Sequence, residues 1–194
     1  DKGLINLKGK HFDRYVQSID TLDEVFQNIR NKKETSTQAH AKIDKIVKDL
    51  LADIEEDEFG LLQYILIGHQ NERKIAISSM NCAILAAIIG IKSKIPHFRL
   101  IQLITGALLH DLGMLRVDGS IIGKKGKLTE EELKSIRTHT ILSYKIILEE
   151  LKYPEDVASI ALYHHEKWNG KGYPKKLKGN DIPIAARIVT VADA

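Results

Sequence analysis

Apolar residues recur at helical spacing in two stretches near the start of the chain. The first runs from Phe12 to Ile29 and the second from Ile43 to Ile54, and in both an apolar side chain returns every three or four positions. Between them, the charged and hydroxyl residues from Asn31 to Gln38 break the pattern. The spacing therefore predicts two amphipathic helices with a boundary near residue 34.

Helical character continues over the rest of the chain. The further predicted helices are Leu61 to Gly90 as one or two helices, Leu100 to Leu109, a helix opened by the capping-box pair Thr129 and Glu132 that runs to about Leu151, and a helix with Pro154 in its first turn that runs to His165. No run of alternating apolar and polar residues predicts a strand. We therefore expect an all-α helical bundle, in which residues 1–34 form an N-terminal connecting or regulatory helix and residues 35–194 form the core.

Composition and charge narrow the class of protein. Hydrophobic residues make up 43% of the 194 positions, which is enough to bury a core. Lys and Arg number 29 against 26 Asp and Glu. The resulting net charge of +3 is too small for a general binder of DNA or RNA.

The cysteine count and the longest apolar run bear on the compartment. Cys82 is the single cysteine and lies among apolar residues, so we expect neither a disulfide nor a cysteine-ligated zinc site, and a cytoplasmic location fits. The longest apolar run, Ala83 to Ile91, is about half of what a helix needs to cross a bilayer, which favours a buried helix over a transmembrane segment. Because the chain begins with Asp1 and stops at Ala194 inside an apolar segment, we expect part of a longer protein, truncated at the C-terminal end of its core.

Histidines and aspartates gather where the predicted helices end or turn inward. The candidate metal ligands are His110, Asp111, His139, His164, His165 and Asp193. Imidazole and carboxylate groups suit iron, manganese or zinc, and a carboxylate can bridge two cations through its two oxygens. Taken singly, a His-Asp pair is usually a surface or capping pair, a residue such as His139 is more often a partly buried helix histidine, and Asp193 is more often an ordinary cap. The set as a whole instead indicates metal-assisted hydrolysis of a phosphodiester. The other histidines, His11, His40, His69 and His97, are interpreted as having no partners.

Four segments carry a resemblance to a known family. They are ALLHDLGM, GKKGKLTEEELKSIRTH, HHEKWNGKGYP and LKGNDIPIAARIVTVADA. Together they resemble the HD-GYP domain, whose members are cyclic di-GMP phosphodiesterases, over roughly residues 35 to 194.

The resemblance implies roles for individual residues. Asp111 would bridge two divalent metal ions, most often iron or manganese in this family. The ligands of one ion would be His139, His164 and His165, and those of the other His110 and Asp193. Asp111 and His110 are thus the implied catalytic pair, and the loop residues Gly172, Tyr173 and Pro174 would hold the cyclic dinucleotide.

Three positions depart from the family pattern. Ser78 stands where a metal-binding histidine is usual, and Lys74 stands where members with a third metal have glutamate. Met114 replaces a lysine that commonly contacts a substrate phosphate. These departures predict that one of the two metal sites lacks a ligand and that no third metal ion binds.

The loop after the paired histidines has a composition that suits an anionic nucleotide. Gly170 and Gly172 allow a close backbone approach, and Trp168 and Tyr173 offer ring faces for a purine. The nearby lysines are Lys171, Lys175, Lys176 and Lys178. A tryptophan beside a glycine turn also commonly covers a hydrophobic edge, and a lysine run is commonly just solvated.

Three functions remain open on the sequence. The first is hydrolysis of cyclic di-GMP to linear pGpG, and onward to GMP, through a metal-bridging hydroxide. The second is a degenerate domain that binds metal or nucleotide and regulates a partner, with the N-terminal helix connecting to a sensor domain or to a second copy in a homodimer. The third is a phosphohydrolase of the wider HD superfamily that acts on another nucleotide.

Overall fold

The computed structural model describes residues 10–33, 35–67 and 74–194. Over these ranges the chain is helical and contains no strand; Asn169 and Lys178 form an isolated antiparallel bridge. The helices are α1 (Lys10–Arg30), α2 (Ser36–Ile67), α3 (Lys74–Lys92), α4 (His97–Leu109), α5 (Gly119–Ile122), α6 (Glu130–Arg137), α7 (His139–Lys145), α8 (Glu155–Tyr163) and α9 (Ile184–Ala192). The prediction of an all-α fold is confirmed.

The predicted N-terminal helix packs into the main core. Helix α1 lies against α2 and α3, and its inward stripe is buried because apolar residues return at helical spacing. The buried members of this stripe are Tyr15, Ile19, Leu22, Val25, Phe26 and Ile29. An ion-pair cluster also joins α1 to α2, since the buried carboxylate of Asp53 contacts His11 and Arg14. Its regulatory role stays a prediction.

Two histidines that we interpreted as having no partners have them. His11 contacts Asp53 at 2.8 Å and Glu56 at 3.2 Å. The Nε2 atom of His40 lies 2.6 Å from the carbonyl oxygen of Leu151. Both partners are distant in sequence, so the interpretation of these two residues was wrong. His97 is exposed at the start of α4, and His69 lies outside the described residues.

Two segments have the length and composition of membrane spans, Ile75–Lys92 and His97–Arg116. In the folded chain 56% of the first and 67% of the second are buried against other elements. Helices α3 and α4 also pack against each other. Such burial is typical of the central helices of a soluble domain and fits the interpretation of Ala83 to Ile91 as buried helix.

The segment predicted as a single helix from Thr129 to about Leu151 is divided. Helix α6 begins with the predicted capping box, in which Thr129 and Glu132 each accept the other's backbone N–H. It ends at Arg137, and α7 begins at His139 and continues as a π-helical turn over Ile146–Glu150. The break has a local cause, because the His139 ring binds the carbonyl of Ile136, which an uninterrupted helix would pair with a backbone N–H.

Candidate metal centre

Three of the predicted ligands are histidines held in the same way by their own backbone. Each ring places Nδ1 at 2.7 Å from the carbonyl three residues earlier: His110 on Ala107, His139 on Ile136, and His164 on Ala161. These carbonyls lie at helix ends, where the helix itself leaves them unpaired. Because a carbonyl can only accept, Nδ1 must carry the proton, and Nε2 is directed toward the centre of the cluster.

The carboxylate of Asp111 lies between two groups of ligands. Its Oδ1 atom is 3.3 Å from Nε2 of His139 and 3.7 Å from Nε2 of His164. Its Oδ2 atom is 3.5 Å from Nε2 of His110. The two oxygens of one side chain therefore face opposite halves of the cluster, as a bridging ligand requires.

The half with three imidazoles consists of Asp111, His139, His164 and His165, whose ligand atoms all lie within 4.8 Å of one another. The Nε2 atoms of His139 and His164 are 3.4 Å apart, although their Nδ1 atoms hold the protons. Two facing lone pairs repel each other unless a cation lies between them. Metal–nitrogen bonds of about 2.1 Å at a tetrahedral angle separate two nitrogens by about 3.4 Å, so this donor set fits a divalent ion.

The other half contains His110 and Asp193. Helix α9 delivers Asp193 at its C-terminal end, and the hydroxyl of Thr190 fixes this helix by donating to the carbonyl of His164 at 2.6 Å. One carboxylate oxygen of Asp193 lies 3.3 Å from Nε2 of His110. The structure thus brings together all six predicted ligands; that they bind metal stays a proposal.

The pKa values of the histidines are shifted in opposite directions in the two halves. Burial and the neighbouring imidazoles keep the pKa of His164 well below its ordinary value, and burial with His139 lowers the pKa of His165 to about 4. Burial also disfavours a charged His110, but Asp111 and Asp193 outweigh it and raise its pKa to about 9. His110 therefore holds a proton between two carboxylates, whereas His164 and His165 favour the neutral form that can coordinate a cation.

The close approach of Asp111 to His139 depends on Gly113. The 3₁₀ turn Leu112–Arg116 packs directly on α7, and the N–H of Gly113 donates to the hydroxyl of Ser143 at 2.7 Å. A Cβ at this position would lie 2.1 Å from the carbonyl oxygen of His139. The glycine in the HDLGM segment therefore has a structural reason.

The GYP loop folds back against the paired histidines. A Cβ on Gly172 would meet backbone atoms of Glu166 and Lys167 at 2.5 and 2.4 Å, so no side chain fits there. The ring of Tyr173 stacks on His165 with centroids 4.9 Å apart. The Tyr173–Pro174 bond is cis. The loop therefore forms one wall of the metal centre, and substrate contact by Gly172, Tyr173 and Pro174 stays a prediction.

Glu166 holds this loop from inside. Its carboxylate is 1% exposed and accepts the backbone N–H groups of Lys175 at 2.6 Å and Leu177 at 2.9 Å. We did not single out Glu166 as a loop-forming residue from the sequence. Its position directly after two histidines was the available signal.

Two cationic side chains lie over the aromatic residues of the loop. The guanidinium of Arg137 is 5.3 Å from the centroid of Tyr173, and that of Arg187 is 5.5 Å from the centroid of Trp168. Arg137 was not predicted as a site residue. Tyr173 and Trp168 thus already have partners, and Trp168 is 61% exposed.

The positions that depart from the family pattern lie as follows. Ser78 is exposed, and Met114 is partly exposed in the 3₁₀ turn. The side chain of Lys74 lies outside the described part of the structure, so its predicted effect on a third cation is untested.

Cys82 is the unexpected member of the centre. Its Sγ atom and the ligand atoms of His110 and Asp193 lie within 4.8 Å of one another. Burial, with Asp193 and Asp111, raises the pKa of its thiol. Cys82 is a free cysteine buried among apolar residues, as expected, but the sequence did not indicate that His110 and Asp193, at the ends of α4 and α9, lie beside its thiol.

Comparison with known proteins identifies the family to which the chain belongs. The sequence profile described as HD domain matches residues 29–194. The chain belongs to the HD-domain family. Its resemblance to HD-GYP proteins is also confirmed. The cyclic di-GMP phosphodiesterase response regulator RpfG of Xanthomonas campestris is 42% identical over 88 residues, which cover 45% of this chain and 23% of RpfG.

One further relative and one solved structure extend the comparison. The 3'3'-cGAMP-specific phosphodiesterase 2 of Vibrio cholerae serotype O1 is 42% identical over 86 residues, or 44% of this HD-domain chain and 16% of that protein. The chain thus spans less than a quarter of the length of either relative. Bd1817, an HDG"Y"P protein from Bdellovibrio bacteriovorus, shares the fold with a TM-score of 0.77 at 20% identity, covering all of this chain and 61% of the other.

Proposed function

We propose that this HD domain is a metal-dependent phosphodiesterase that hydrolyses cyclic di-GMP to linear pGpG, and onward to GMP, with two divalent ions, iron or manganese, in the cytoplasm. The observation that carries the proposal is the position of Asp111, whose two oxygens face His139 and His164 on one side and His110 on the other. Names of relatives such as RpfG support the substrate. For the whole protein, the proposed partner is a sensor domain or a second copy of the chain in a homodimer.

Some side chains of the centre would hold the metal ions, and others would hold the substrate. When bound, two divalent ions would supply the Lewis acidity that activates water and neutralises the phosphodiester. Asp111 holds both halves at a fixed separation, while the Nδ1 bonds of the histidines keep their Nε2 atoms aimed inward. The guanidinium of Arg137, beside Tyr173, offers the positive charge for a substrate phosphate that Met114 does not supply.

Turnover of cyclic di-GMP by anaerobically loaded protein tests this proposal, with 3'3'-cGAMP as the second substrate. His139→Ala removes a ligand and should abolish product, whereas His97→Ala changes an exposed histidine outside the centre and should retain it. Faster turnover of 3'3'-cGAMP would support phosphodiesterase activity but would show that the preferred substrate is not cyclic di-GMP. Product that persists in His139→Ala would contradict the metal-centred mechanism.

A degenerate regulatory domain is the second candidate. It is favoured by helix α3, which contains no histidine that could add an imidazole to His110 and Asp193, and in which Ser78 is exposed. This candidate predicts that fully loaded protein binds cyclic di-GMP without forming product. Product from the unmodified chain would exclude it.

A further inference from the structure

Helix α3 presents sulfur to the half of the centre that has only one imidazole. The ligand atoms of Cys82, His110 and Asp193 lie within 4.8 Å of one another. Cys82 is 2% exposed and His110 is fully buried, so the thiol and the imidazole meet inside the core. The other half has three imidazoles around Asp111, whereas this half has one imidazole and two carboxylates.

We propose that the Cys82 thiolate is a protein ligand in the His110–Asp193 half of the metal centre. The inference rests on the two-metal function proposed above and deepens it. Ser78 lies one helical turn before Cys82 and is exposed, whereas the thiol of Cys82 lies within 4.8 Å of the ligand atoms of His110 and Asp193. With the shared oxygen of Asp111, sulfur brings this half to four protein ligands, the number that tetrahedral sites use.

The separations suit a single ion. Bonds of about 2.3 Å to sulfur and 2.1 Å to nitrogen, at a tetrahedral angle, place the two ligand atoms about 3.6 Å apart. Because the ligand atoms lie within 4.8 Å of one another, sulfur and nitrogen would have to move closer by at most about 1.2 Å to bind one ion. Helix α3 packs on both α4 and α9, which carry the other two ligands, so side-chain rotation and a small helix shift are sufficient.

Coordination is a simple exchange at sulfur. The S–H bond breaks, its electron pair forms the metal–sulfur bond, and the proton leaves to solvent; no group is oxidised or reduced. A thiolate ligand favours softer ions, so this half should select iron(II), cobalt(II) or zinc over manganese and magnesium.

Cobalt(II) substitution of the whole chain tests the assignment. The protein is loaded without oxygen, with a phosphine in place of a thiol reductant, and near-ultraviolet absorption and bound cobalt are measured together. Because Cys82 is the one cysteine in the sequence, any thiolate-to-cobalt charge-transfer band must come from it. We expect the band in the unmodified protein and in Ser78→Ala, and its loss in Cys82→Ser and Cys82→Ala.

The outcomes separate this inference from the proposed function. Two cobalt ions per chain without a charge-transfer band would overturn the Cys82 assignment and leave the two-metal proposal standing. A chain that binds no cobalt would overturn both. Since the band of the unmodified protein decides the matter, the test holds even where a cysteine variant folds poorly.

Discussion

The fit between the 3₁₀ turn and helix α7 makes Gly113→Ala a sharp test of how the centre is built. The new Cβ would lie 2.1 Å from the carbonyl oxygen of His139 and 2.6 Å from the backbone nitrogen of Ser143. Real Cβ atoms essentially never approach another heavy atom within 3.0 Å, so the turn must move away by about 0.9 Å. Neither contact is with a flexible side chain that could rotate aside.

Two measurable effects should follow from this displacement. Forcing an extra carbon into packed structure costs about 1–3 kcal/mol. For a domain of this size that lowers the melting temperature by roughly 2–12 °C. The 3.3 Å separation between Asp111 and His139 should widen by a similar distance, which weakens the shared metal site.

The assay compares thermal melting and metal content with the matched variant Gly119→Ala. A Cβ on Gly119 would meet no heavy atom within 4 Å, and this residue begins a short helix, so alanine there should be neutral or slightly stabilising. If Gly113→Ala melts and retains metal like Gly119→Ala, the account of how this turn sets the ligand distances is refuted.

The remaining predictions concern the loop, the N-terminal helix and pH. Glu166→Gln replaces one of two accepting oxygens by an NH₂ group that faces a backbone N–H, so it should cost about 2 kcal/mol by chemical denaturation and reduce turnover; unchanged stability would show that the loop is held otherwise. Phe26→Ala should cost about 3–5 kcal/mol and Phe59→Ala almost nothing, because Phe26 is 1% and Phe59 76% exposed; equal effects would contradict the packing of α1. Metal-free protein should be most stable near pH 6.5. His164 and His165 have lowered pKa values in the folded protein, so the unfolded state binds more protons and the free energy of unfolding falls as pH falls from 6.5 toward 4. His110 has a raised pKa, so its contribution is lost as pH rises from 6.5 toward 9. Melting curves of chelated protein across this range check both limbs, and a monotonic profile would contradict them.

The helices were predictable because burial of one face imposes a period on the sequence. The stripe of α1 and the capping box at Thr129 are local patterns, and both are present as predicted. The break before His139 was not predicted, because it arises when a side chain competes for a backbone carbonyl. The spacing of apolar residues does not reveal where a side chain will replace a backbone N–H as the partner of a carbonyl.

The candidate site was predictable to the extent that its residues lie beside recognisable segments. His110 with Asp111 and His164 with His165 are adjacent in sequence, so their motifs identify them. Cys82 lies 28 residues before His110 and carries no motif, and only the packing of α3 on α4 reveals its neighbours. The partners of His11 and His40 were missed for the same reason, since they are 42 and 111 positions away.

Asp111 joins the two proposed metal-binding halves. Elemental analysis of iron or manganese per chain after anaerobic loading, on the unmodified protein and on Asp111→Asn, tests it most directly. We expect two ions per unmodified chain and at most one in Asp111→Asn, because the amide cannot supply two anionic oxygens. A folded, unmodified chain that holds no metal, or an Asp111→Asn variant that holds as much as the unmodified protein, would contradict it.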